Sequence, residues 1–167
     1  ASTTPEIRAD LVLIRQKLKN ADADIARIQA DPNENALVPL ALLRRAVTLG
    51  TLSYVSLTPI VTAEAAYKKA LTTYNGFGLP AGSDGYARYF YAVFLATIYG
   101  NKRVTDIETL LKPLYTDPGH AQYPITAFFK NARLHNDAVK KSFQILARLD
   151  PEFKEYLMLL GWKAADF

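Results

Sequence analysis

Residues Thr4–Ala30 read TPEIRADLVLIRQKLKNADADIARIQA. Ile7, Leu11, Ile14, Leu18, Ala21, Ile25 and Ile28 recur at alternating steps of four and three, which lays one unbroken apolar seam along a helix. Thr4-Pro5 supplies its start: a side-chain oxygen to cap, then a residue whose missing N–H costs nothing in the first turn. The turn Asp31-Pro32-Asn33-Glu34-Asn35 ends it.

The same punctuation divides the rest of the chain. A second helix is expected from about Leu37–Pro39 to Leu57. A third follows the cap-and-proline pair Thr58-Pro59 and ends at Asn75-Gly76. After the loop GFGLPAGSDG (76–85), a fourth spans Tyr86–Tyr99 and stops at Gly100. A short fifth opens at Thr105 or Asp106 and ends or kinks near Pro113. A long sixth covers about Ile125–Leu149, and Asp150-Pro151-Glu152 restarts the chain for a last helix through Trp162. No segment alternates as a paired strand would. The expected class is all-α: a helical arm, residues 1–35, followed by a bundle of five to six helices, residues 36–167.

Bulk composition narrows the function. With 167 residues, half of them apolar and 22% charged, the chain is one folded domain's worth with a real core. Net charge is +4 and is spread along the chain: +1 for 1–50, +1 for 51–100 and +2 for 101–167, counted from the sequence. An anion-binding surface would therefore come from how charges sort onto faces. Absence of cysteine excludes disulfides, thiolate catalysis and cysteine zinc sites. Ala1-Ser2-Thr3 fits a start exposed by removal of methionine or of a signal, the first being the expectation adopted. The uncharged run Ala46–Ala63 raises a membrane question, but its seven Ser, Thr and Pro residues make it too polar for a confident span.

Catalytic chemistry finds little support. His120 and His135 are the only histidines, and His135 falls on the apolar side of its helix, where a hydrogen-bonded core ring is the simpler reading. No His-x-x-His, Glu-x-x-His or carboxylate pair supplies a metal site, and no cofactor motif is present. The glycine-rich loop carries a proline where an N–H would face phosphate and follows no strand. It reads as a connector or a subunit contact.

Aromatic and cationic residues are more informative. Tyr86, Tyr89, Phe90, Tyr91, Phe94 and Tyr99 place six rings in fourteen residues, more than one core face absorbs. Tyr89 and Tyr91 are thus candidates, with the seam residues Ile7, Leu11, Ile14, Leu18 and Ile25, for contact with another subunit. On a wheel of about 100° per residue, Arg8, Arg15 and Lys19 fall in one narrow arc beside the seam, while Glu6, Asp10 and Asp24 gather elsewhere. Lys17 alone breaks this sorting by sign, which sets an anionic partner level with a solvated face of mixed i,i+4 pairs. Arg44-Arg45 are the only charges between Glu34 and Glu64. In so apolar a helix they are expected to be covered, and to meet either internal carboxylates or phosphates. A third stripe, Lys130, Arg133, Lys140, Lys141 and Arg148, reads most simply as a solvated outer face.

A basic amphipathic N-terminal helix followed by a Tyr-rich bundle with a Gly/Pro loop resembles the major capsid proteins of filamentous and rod-shaped archaeal viruses. The stretch LTTYNGFGLPAGSDGYARYFYAVFLATIYG (Leu71–Gly100) is similar to their Tyr-Gly-rich turn leading into a core helix. The resemblance implies a virion protein, present in the host cytoplasm during assembly, whose arm wraps A-form double-stranded DNA while a four-helix-type bundle forms the shell. Its partners would be DNA, further copies of the chain and a homologous second subunit, with room for a surrounding envelope. No motif transfers contacts residue by residue, so Arg8, Arg15, Lys19, Arg44 and Arg45 rest on the wheel as DNA-binding candidates. The nearly neutral N-terminal third departs from what a DNA-wrapping arm would suggest. The expectation is a non-enzymatic coat that reads no base sequence. A helical protein-binding module (an adaptor, immunity protein or secreted effector) stands as the alternative, and an enzyme with a scattered site as a third reading.

Overall fold

A computed structural model describes residues 5–80, 82–117, 125–134 and 136–167, with the backbone alone for 5–7 and 9. Helices, joined by short turns and loops, are the regular structure of the described residues, with no strand among them, as an all-α chain requires. Thr4, His120 and His135 lie outside them.

Among the described residues eight α-helices follow one another: α1 Pro5–Ala30, α2 Val38–Tyr54, α3 Ile60–Gly76, α4 Gly85–Tyr99, α5 Val104–Thr116, α6 Thr126–Asn131, α7 Asp137–Leu149 and α8 Pro151–Leu159. They form two compact units, residues 1–73 and 74–167. An arm ending at residue 35 does not match this division, because α1 turns at Asp31 and packs back along α2. The seam is what drives that return. Leu11, Ile14, Leu18, Ala21, Ile25 and Ile28 are all half-buried, so a helix marginal on its own in water gains a partner in its own chain. Ile7 belongs to the same seam by spacing, but its side chain lies outside the described residues.

In the second unit, α4 packs on α5 and α7, and α7 packs on α8. Tyr89, Phe94, Phe129, Phe143, Phe153 and Leu157 are fully buried here. Tyr89 meets Phe129 and Phe143 edge-on at 5.2 and 6.5 Å between ring centres, and its hydroxyl donates to the Phe128 carbonyl at 3.0 Å. Tyr91 is likewise buried. The expectation that Tyr89 and Tyr91 face another subunit is therefore corrected: both rings are covered within the chain. Partner rings arriving from α6 and α7 widen the core that α4 serves beyond a single face.

Helix ends follow their local chemistry. Gly100 closes α4 at φ 57°, a left-handed conformation that glycine takes without steric cost. Asp150 caps α8, its Oδ1 accepting from the amides of Glu152 and Phe153 at 3.0 and 3.4 Å. The expected long sixth helix is two helices instead. Asn136 leaves helical geometry and accepts from the Val139 amide at 3.0 Å, starting α7 afresh. That break also dissolves the third basic stripe. Arg133 donates to the Gly161 carbonyl at 2.6 Å and Arg148 to the Phe167 carbonyl at 3.1 Å, so both tie down the C-terminal segment.

Candidate functional site

The first unit carries the sorted charges, and α1 positions them. Antiparallel return of α2 covers the seam and leaves the two edges of α1 open, each with its own character.

One edge holds the basic stripe. Arg8, Arg15 and Lys19 are exposed, and Arg15 and Lys19 make no ion pair with a described residue. One or two turns further along α1, Asp22 and Ala26 share this edge on the helical wheel. There a pocket of about 350 Å³ is closed by Leu42 and Arg45 of α2 and Ala66 and Lys69 of α3. Arg45 donates through Nε to Asp22 Oδ1 at 2.5 Å, while Lys69 is exposed and free of ion pairs among the described residues. Lys69 extends the cationic edge onto a second helix. Sequence reading missed it, because only the fold brings α3 beside α1.

The other edge is apolar at one end and cationic at the other. Leu18, Ala21, Ile25 and Ile28 of α1 line a groove of about 450 Å³ with Leu37, just before α2, and Leu40 and Ala41 of α2, together with Lys17, Asp24, Arg44 and Arg45. Leu37 and Leu40 remain 53% and 39% exposed, unusual for leucines so close to other apolar groups.

Arg44 and Arg45 thus part company. Consecutive residues diverge by about 100° on a helix, so the two straddle the α1–α2 contact. The expectation that both are covered fails for Arg44, which is exposed and forms no ion pair with a described residue. It holds in part for Arg45, which has the internal carboxylate offered as one alternative. The candidate DNA contacts accordingly do not form a single surface. Arg8, Arg15 and Lys19 lie on one edge, Arg44 lines the groove on the other, and Arg45 lines both pockets.

No arrangement for catalysis emerges around these edges. Among the described residues, no group of three or more acidic or histidine side chains is placed to hold a metal. In the glycine-rich loop, the amides of Ser83 and Gly85 are taken up by the carbonyls of Pro80 and Gly82, leaving neither for a phosphate. The stretch Asn35–Tyr54 is long and apolar enough to cross a membrane, but half of it is buried inside the structure and it carries both arginines. Comparison of the chain with protein-family models, with curated proteins and with solved structures finds no match.

Proposed function

We propose that this chain is a non-enzymatic coat protein that polymerises around double-stranded DNA and holds its phosphate backbone without reading sequence. The observation that carries this reading is the cationic edge of α1. Arg8, Arg15 and Lys19 project from one side of a rigid helix, about 16 Å from first to last at 1.5 Å per residue. Arg15 and Lys19 make no ion pair with a described residue, and Lys69 stands on the neighbouring helix. Duplex DNA presents a dense row of negative charge, and cations that replace its counterions bind any sequence. Arg44 and Arg45 drop out of the proposed contact set, the first by position and the second by its partner. The role is that of the capsid proteins the sequence resembles, and an all-helical fold suits it.

Mixing the purified chain with duplexes of unrelated sequence at low salt tests the proposal. Equal affinity across sequences, with filaments visible in the electron microscope, is the expected result. Failure to bind any duplex, or strong preference for one sequence, would refute it.

A further inference from the structure

The apolar groove beside α1 has a counterpart elsewhere on the same chain. The outer face of α8 exposes Glu152, Glu155, Met158 and Leu159, Leu159 to 80%, with Lys154 at its edge. All five are exposed, and the buried face of α8 is made by Phe153 and Leu157. We propose that this face of one copy docks into the α1–α2 groove of another, as a head-to-tail contact that builds the polymer. The inference deepens the coat reading by naming the subunit contact, and rests on that reading for its purpose.

Charge complementarity selects a second copy as occupant. The groove offers three cations, Lys17, Arg44 and the Asp22-paired Arg45, and one acid, Asp24. The α8 face offers two acids, Glu152 and Glu155, and one cation, Lys154. Apart from the Arg45–Asp22 pair, none of these groups has an ion-pair partner within the described residues; Lys154 only rests over the Phe167 ring. Direction agrees as well. In α2 the apolar Leu40 lies one turn before Arg44, and in α8 Glu155 lies one turn before the apolar Leu159. Laid antiparallel, Leu159 meets Leu40 while Glu155 meets Arg44, each pair separated by the same rise of about 6 Å. Because the two surfaces are different, each contact leaves a free groove and a free α8 face on the pair, and repetition gives rings or open filaments. One helix in one groove is a small interface, so a single contact is weak and repetition along the polymer supplies the strength.

Sedimentation velocity of the full chain without DNA, over a range of concentrations, tests the contact. Species growing stepwise beyond the dimer are expected. Arg44→Glu and Glu155→Arg should each weaken association about tenfold or more, since like charges then face each other. An equimolar mixture of the two variants should recover it, because each then offers a matching partner to the other. Leu159→Asp should abolish growth, and circular dichroism should stay native for all three exposed positions. A wild type that stays monomeric, a closed dimer, indifference to both charge reversals, or a mixture that fails to recover would each overturn the contact. DNA plays no part in the assay and Arg15 and Lys19 are untouched, so loss of DNA binding would fault the coat reading without bearing on this result.

Discussion

Asp22 reaches Arg45 across 23 positions of sequence, while Arg44 beside it stays in water. Both partners of the pair are part-exposed, at 29% for Arg45 and 52% for Asp22, and exposed ion pairs contribute little. Arg45→Gln is therefore expected to cost less than about 1 kcal/mol in urea melts, and Arg44→Gln to leave the midpoint unchanged. A different case is Asp150. Burial alone would raise its carboxyl, but the hydrogen bonds from the Tyr115 hydroxyl at 2.6 Å and from the Phe153 and Glu152 amides, with Lys112 nearby, hold it below the usual range. A carboxyl lowered in the folded state adds stability above its unfolded value near 4, and that stability fades as the pH falls through the folded value. Asp150→Ala removes a cap and leaves Tyr115 without its acceptor, at about 1–3 kcal/mol near neutral pH. The gap between variant and wild type should narrow in melts taken below about pH 4. The same burial that raises Tyr89, Tyr115 and Tyr156 keeps them neutral in the folded protein.

At the scale of elements, the aromatic helix α4 belongs to the core. Tyr89→Ser empties a site lined by Phe128, Phe129 and Phe143 and should cost about 3–5 kcal/mol, as large aromatic truncations do, with a lower thermal midpoint by circular dichroism. An interface role would instead leave that midpoint in place. Helix starts and stops were legible in the sequence wherever one residue decides them: Pro5, Gly100, and Asp150-Pro151 fall within a residue or so of the observed ends. The break between α6 and α7 was not, because apolar spacing runs through it and Asn136 caps only once the chain has left the helix. Asn136→Ala should therefore destabilise by about 1 kcal/mol, measurable in the same melts. The seam of α1 was legible as a docking face, but its partner was not. Spacing says that a face is buried, not whether the covering helix comes from the same chain, and here α2 supplies it. Of the candidate site, the stripe Arg15–Lys19 could be read from helical spacing alone. Lys69, Asp22 and the split of Arg44 from Arg45 required the fold.

For the whole molecule, the two units present separate surfaces that assign separate work. The first carries a cationic edge, proposed to face phosphate, and a groove on the far side of α1. The second carries the α8 face proposed to dock into that groove of another copy. In a polymer built this way every copy repeats the same cationic edge, so DNA binding and assembly reinforce each other without a base-reading element. The central claim is that Arg15 and Lys19 neutralise phosphate, and it makes a definite demand on salt dependence. Each phosphate contact contributes about 0.9 to the slope of log affinity against log salt. Duplex affinity should be measured by anisotropy across a salt series for the wild type and for the variant carrying Arg15→Gln and Lys19→Gln. The account predicts binding that weakens steeply with salt and a slope flatter by about two in the variant. A wild type that does not bind at low salt, or a variant whose slope is unchanged, would contradict it.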